Sequence, residues 1–179
     1  RLERVMVFQA NTLKKEFMPE LLFGHVDEKQ KNKILNQLEL DKTIKISQLR
    51  KGKNEIINLI RMFTGKNLLQ KVSANLIISH SFMSTILCKQ KNKKQKTKYI
   101  TMIHLPPNFL YSPSKGWTNN PSRLFARILG IIFGKQLRKK DIKAVKNADL
   151  IISNSKYTSK RITQIYKRPS RVIYPPVSE

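Results

Sequence analysis

The sequence predicts an α/β fold, a Rossmann-like, mostly parallel sheet with helices on both faces. Three observations predict it. Short β-branched apolar runs at Asn75-Leu-Ile-Ile-Ser79-His80, Tyr99–Ile103 and Leu150–Ile152 alternate with helix-length segments. The runs are mostly apolar and show no strict polar–apolar alternation, the pattern of strands buried on both faces. The last third also reads strand, loop, helix, strand, helix, strand, with a histidine where the first of those strands stops.

Arg1 to Glu16 reads as a helix, because Leu2, Val5, Met6, Ala10 and Leu13 repeat at helical spacing. Lys14 and Lys15 stand in its last turn, where cations suit the helix dipole. Leu21-Leu-Phe-Gly-His25-Val reads as a buried strand, Glu28 to Leu38 as a polar helix, and the alternating Thr43-Ile-Lys-Ile-Ser47 as a short strand. Asn54 to Phe63 reads as a helix. Next comes the strand ending at His80, then a helix from Ser81 to Cys88. Lys89 to Lys98 holds six lysines in ten residues and reads as a solvated loop or helix end. After the Tyr99–Ile103 strand, Pro121 to Lys146 forms one long basic helix with proline in its first turn. Leu150 to Ile152 is a strand, Ser155 caps a helix to Tyr166, and Val172 to Tyr174 is the last strand, stopped by Pro175-Pro176.

At 179 residues the chain is expected to form one domain. A hydrophobic content of 40% suits a packed core and excludes a disordered chain. No apolar run reaches the roughly 18 residues of a membrane span, and Arg1-Leu-Glu-Arg does not read as a secretory leader. The expected location is therefore cytoplasmic. The chain opens without an initiator Met and reads as part of a longer one. The single Cys88 has no internal partner and reads as a buried thiol without function.

Net charge is +25, and residues 56–178 carry 24 Lys or Arg against two acids, Asp141 and Asp149. Such a field attracts polyanions, whether nucleic acid, anionic lipid or phosphorylated ligands. The richness in Lys, Asn and Ile together is also what A/T-rich coding produces. Along the long helix Arg123, Arg127, Gly130, Gly134, Arg138 and Asp141 recur every three or four residues and read as one basic face. Leu124, Ile128, Ile131 and Leu137 read as the inward side. A basic amphipathic helix of this kind suits an anionic membrane surface, with Arg123, Arg127 and Arg138 facing it; an ordinary surface helix over a sheet fits the same pattern. Tyr99, Phe109, Tyr111 and Trp117 form no stacking motif, so nucleic acid is disfavoured; on charge alone the alternative function is a basic nucleic-acid-binding or membrane-surface-binding domain without catalysis.

One Cys and three separated histidines give no zinc-type ligand spacing, so no metal is expected. There is no Gly-x-Ser-x-Gly elbow, no Walker loop and no GxGxxG. No bound cofactor is expected either. What remains is His80 and His104, each at the carboxyl end of an expected strand, where ligands collect in open α/β sheets. Neutral imidazoles there bond sugar hydroxyls, and cationic ones bond phosphates.

Five segments, His104–Tyr111, Ala148–Thr158, Val172–Val177, Leu76–Phe82 and Arg1–Val5, resemble glycosyltransferase family 4. His104-Leu-Pro-Pro-Asn-Phe-Leu-Tyr111 is similar to the family's His-Thr-Pro-x-Arg-Tyr-Leu-Trp/Tyr stretch. Ala148-Asp-Leu-Ile-Ile-Ser-Asn-Ser155-Lys-Tyr-Thr resembles Ala-Asp-x-x-Ile-x-Asn-Ser-x-x-Thr, and Val172-Ile-Tyr-Pro-Pro-Val177 resembles Val-Ile-Tyr-Pro-Pro-Val. Leu76-Ile-Ile-Ser-His80-Ser-Phe looks like Ile-Ser-Ser-Ser-His-Ala-Phe, and Arg1-Leu-Glu3-Arg-Val looks like the helix start in Gly-Gly-Ala-Glu-Arg-Val. The nearest pattern is that of mannosyltransferases extending lipid-linked oligosaccharides or surface polysaccharides.

The resemblance implies the N-terminal, acceptor-binding lobe of a two-lobe, retaining, metal-independent enzyme. The lobe would lack its first strand and Gly-Gly loop, and the donor lobe would lie outside this chain. The implied partners are a nucleotide-sugar donor such as GDP-mannose, held by that other lobe, and a lipid-linked or glycan acceptor. By the same resemblance His104 contacts the transferring sugar and Glu3 lies beside the donor phosphates. His80, Asn108, Tyr111, Asn154 and Ser155 complete the expected substrate-binding set. Asn108 stands where the family has Arg, and Leu105 where it has Thr, which bears on acceptor identity. Without a donor lobe the chain alone is expected to be inactive.

Overall fold

The computed structural model describes residues 2–24, 26–48, 73–80, 82–88, 97–111 and 121–175, with backbone alone for Met83, Leu87, 121–130 and Ile132. The expected helix over 54–63, His25 and most of the lysine run 89–98 lie outside the described residues. The chain divides into two compact units, Arg1–Ile60 with Pro175–Glu179, and Arg61–Tyr174.

The first unit contains α1 (Leu2–Leu13), β1 (Glu20–Phe23), α2 (Glu28–Asn32), a π-helical turn (Lys33–Gln37) and β2 (Lys45–Gln48). The strands β1 and β2 pair in parallel, Leu21 against Ile46. Val7 and Ala10 of α1 pack with Leu21, Ile34, Leu40 and Ile44 as a buried cluster. Asp27 caps α2 by accepting the Gln30 N–H at 2.8 Å. The segment expected as one regular helix over 28–38 instead widens into the π turn. Ile34 in that turn is fully buried, with Leu35 and Leu38 partly buried against the same cluster, so the wider turn still points the apolar side chains of a polar segment at the core.

The second unit contains β3 (Leu76–Ser79), α3 (Phe82–Leu87), β4 (Lys98–Ile103), α4 (Asn108–Tyr111), α5 (Pro121–Lys146), β5 (Leu150–Ser153), α6 (Lys156–Tyr166) and β6 (Arg171–Val172). The sheet order is β3-β4-β5-β6, every pair parallel. Both sheets among the described residues are thus parallel, and the α/β, Rossmann-like class predicted from the sequence holds. The last strand is shorter and earlier than its expected 172–174: Ile173 still donates to the Ser153 carbonyl at 2.9 Å, but it and Tyr174 are exposed beyond the paired residues.

Register puts Ile77 and Ser79, Tyr99, Thr101 and Ile103, and Ile151 and Ser153 on one face. That face carries the core. Tyr99, Ile103 and Ile151 pack with Val145 and Ala148 at the end of α5 and with Ile162 and Tyr166 of α6. Its polar members are satisfied, Ser153 by Ser170 at 3.1 Å and the others through Ser79. The Ser79 hydroxyl lies 3.0 Å from Thr101 Oγ1, 3.0 Å from Tyr99 Oη and 3.1 Å from Thr85 Oγ1 of α3.

The helix α5 spans the residues expected of it, but its faces are partly reversed. Gly134 and Asp141, expected on the basic outer face, are buried, whereas Ile131, expected inside, is 75% exposed. Leu137 is buried as expected. The true inward stripe is Gly134, Leu137, Asp141, Ala144 and Val145, a 3–4 spacing in which one acid takes an apolar position. Asp141 tolerates burial because two phenols donate to it, at 2.7 Å from Tyr111 and 2.8 Å from Tyr166. The helix ends under Arg168, whose guanidinium donates to the carbonyls of Val145, Lys146 and Ala148 at 3.2, 2.9 and 2.7 Å.

Candidate functional site

Parallel strands send their carboxyl ends to one edge, so the residues that follow β3, β4 and β5 are brought together by topology. His80 follows β3, His104 follows β4, and Asn154-Ser155 follow β5. The two imidazoles are stacked, with centroids 5.9 Å apart and planes inclined by 25°. Beside them Phe82, opening α3, meets Phe109 of α4 edge-on at 5.5 Å. Adjacent strand ends are therefore joined by two ring pairs.

His80 Nδ1 and His104 Nε2 are buried and have no hydrogen-bond partner within the protein. A buried polar atom in that state costs about 1–3 kcal/mol, which a hydroxyl placed against it recovers. Burial lowers the His80 pKa to about 4, with the positive charge of a neighbouring His104 as the lesser cause. Burial lowers the His104 pKa as well. Both rings are therefore neutral at pH 7, each with one N–H donor and one lone-pair acceptor. That pairing matches a hydroxyl, which also donates and accepts.

The segment carrying His104 is fastened to its neighbours. Its carbonyl accepts from the Thr158 hydroxyl of α6 at 3.2 Å. Asn108 Oδ1 accepts from Arg161 of α6 at 3.1 Å. Tyr111 gives its hydroxyl to Asp141. Ser155 caps α6, accepting the Thr158 N–H at 3.1 Å, and its hydroxyl lies 3.3 Å from Asn154 Oδ1.

Of the residues singled out in the sequence, His80 and His104 are in contact, with Asn108 held four residues beyond His104. Asn154 and Ser155 stand at the end of the next strand, β5, with the Ser155 hydroxyl occupied in capping. Tyr111 is drawn to the α5–α6 side by Asp141. Glu3 belongs to the first unit, where its carboxylate pairs with Lys33 at 3.0 Å. Arg138 is exposed on α5, whereas the side chains of Arg123 and Arg127 lie outside the described residues.

Sequence reasoning passed over Thr158, Arg161 and Tyr166. Thr158 was legible as the last residue of the Asn-Ser-x-x-Thr segment. Arg161 and Tyr166 gave no signal, since a guanidinium and a phenol on a basic helix look like surface. Cys88 is buried, its thiol pushed up to about 12 by burial, which leaves it inert as a nucleophile. Among the described residues no three His, Cys, Asp or Glu side chains gather as a metal site, and no helix is long and apolar enough to cross a membrane. Comparison with protein-family models, with curated proteins and with solved structures gives no match for this chain.

Proposed function

We propose that this chain is the acceptor-binding lobe of a retaining, metal-independent glycosyltransferase. The reaction would move a hexose, mannose, from a nucleotide-sugar donor such as GDP-mannose to a lipid-linked or glycan acceptor. The observation that carries the reading is the stacked His80–His104 pair at adjacent carboxyl ends, neutral and with two unpartnered ring nitrogens. Such a pair suits sugar hydroxyls better than phosphates.

In this reading His104 contacts the transferring sugar, and His80 orients it through the stacked ring. Asn108 and Arg161 hold the loop and offer amide and guanidinium donors to neighbouring hydroxyls. A second lobe outside these residues would bind the donor nucleotide, and the departing phosphate would take up the charge developing in the transition state. The exposed cations of α5, Arg138 with Lys135, Lys139, Lys143 and Lys146, suit an anionic membrane carrying the acceptor, each adding roughly 1 kcal/mol near such a surface. The enzyme would then work at the cytoplasmic face of a membrane.

The test is a titration of the 15N-histidine-labelled chain with mannose disaccharides linked to a short isoprenyl pyrophosphate. Shifts of the His80 and His104 ring signals that saturate, with the His80 shift lost in His104→Ala while the fold stays intact, support the reading. Ring signals moved instead by an RNA oligonucleotide, and by no sugar, would favour a basic nucleic-acid-binding domain.

A further inference from the structure

Asp141 is the sole acid in a 26-residue helix, and it sits on the buried side, 1% exposed. Its Oδ2 accepts two phenolic hydrogens, 2.7 Å from Tyr111 and 2.8 Å from Tyr166. The two rings meet edge-on, with centroids 6.0 Å apart and planes at 77°. Three elements therefore converge on one oxygen: α5 through the carboxylate, α6 through Tyr166, and α4 through Tyr111. A carboxylate is a costly choice for this place, since apolar residues of the same volume generally pack there with equal or greater stability. What it supplies is direction, because each hydrogen bond fixes a phenol in angle as well as distance.

The element fixed in this way is the one that carries the candidate site. Tyr111 ends α4, and α4 opens at Asn108, four residues after His104. The stretch from His104 to Tyr111 is tied at His104 to Thr158, at Asn108 to Arg161 and at Tyr111 to Asp141. The first two ties reach α6 alone. Asp141 supplies the one among these that reaches α5, and through Tyr166 it also locks α5 to α6. The last turn of that framework is itself held by Arg168.

The geometry points to Asp141 as a positioning residue: through Tyr111 it sets the placement of the His104–Tyr111 segment, and so the orientation of the His104 ring against His80. The inference builds on the assignment of the histidine pair as the binding site. Its test reads the rings directly and needs no ligand, so it stands or falls separately from the sugar-binding reading.

The two phenols make the test specific. Tyr111→Phe removes the tie to the site segment, and Tyr166→Phe removes the tie to α6 alone. Both delete one hydroxyl from one carboxylate oxygen, so a merely structural role predicts the same consequence for each. The measurement is the 15N ring spectrum and pH titration of His104 and His80 in the whole chain, with thermal unfolding of each variant recorded alongside. The expected result is that Tyr111→Phe shifts the His104 ring signals and moves its titration toward that of an ordinary histidine, while Tyr166→Phe lowers thermal stability to a similar degree and leaves the His104 signals in place. Asp141→Asn, which keeps an oxygen acceptor in a side chain of the same shape, is expected to move His104 less than Tyr111→Phe does. Unmoved His104 signals in Tyr111→Phe would overturn the inference, and so would equal movement in both phenylalanine variants.

Discussion

His80, half-buried, and Asp141, buried, are ionisable side chains of the same unit, displaced in ways that oppose each other as pH changes. The folded pKa of His80 falls to about 4 from an ordinary 6.5, so between those values the unfolded chain binds more protons and stability drops as pH is lowered. The folded pKa of Asp141 rises to about 6 from 3.8 because burial outweighs its two phenol bonds, so in that window the folded chain binds more protons and stability drops as pH is raised. Each slope amounts to about 1.4 kcal/mol per pH unit at its steepest. From pH 4 to 6 the two largely cancel, with the lowered His104 tipping the balance toward stability rising with pH. Asp141→Asn removes one side of that balance. Urea unfolding across pH 4–6 is expected to show stability climbing more steeply with pH in the variant than in the wild type, and equal slopes would contradict the assignment. Of the two residues, His80 was legible as a site candidate because it ends an apolar run. Asp141 was not, since an acid among lysines reads as surface until the two tyrosines that satisfy it are seen in space.

At the scale of elements, α5 and α6 carry the argument. The N-terminal end of α6 depends on the Ser155 hydroxyl accepting the Thr158 N–H. Ser155→Ala is expected to cost about 1 kcal/mol and to loosen Thr158, whose own hydroxyl holds the His104 carbonyl. Thermal unfolding measures the first effect and the His104 ring signals the second. On α5 the exposed cations are tested by Arg138→Glu/Lys139→Glu/Lys143→Glu, which is expected to release the chain from anionic vesicles. Lys15→Glu/Lys29→Glu/Lys42→Glu changes net charge by the same amount on exposed lysines of the first unit and is expected to retain most binding. Equal loss in both would mean that net charge and no particular surface governs adsorption. The boundaries of α5 and α6 were readable from Pro121, Ser155 and the apolar spacing. The faces of α5 were not, because the spacing rule assigned sides by charge and had Ile131 and Asp141 the wrong way round. The short α4 was hidden in a stretch that begins with two prolines, and the π turn was hidden by its polar composition.

At the scale of the whole molecule, the alternation of apolar runs with helices dictated parallel sheets, and parallel sheets dictated where the histidines meet. That chain of consequences explains why the fold class and the strand-end positions of His80 and His104 were accessible from residues alone, whereas their pairing depended on β3 and β4 being neighbours. The ties that hold the pair, from Thr158, Arg161 and Asp141, depend on which side of a helix faces the sheet, and composition does not carry that information. The sheet also sets an order of stability. β4 and β5 are hydrogen-bonded on both sides, whereas β3 and β6 are the ends of the described sheet. Hydrogen exchange is expected to be slowest at amides such as Met102 and Ile152, which are both buried; faster exchange there than in β6 would contradict the strand order.

The central claim is that the paired imidazoles bind sugar hydroxyls. The most direct measurement is the 15N ring spectrum of His80 and His104 at pH 7 while the chain is titrated with an isoprenyl-pyrophosphate-linked mannose disaccharide, beside the same titration with isoprenyl pyrophosphate alone. The account predicts saturable shifts of both rings that require the sugar, with the shift of the His80 ring lost in His104→Ala. Rings that stay unmoved, or that respond equally to the lipid pyrophosphate without sugar, would contradict it.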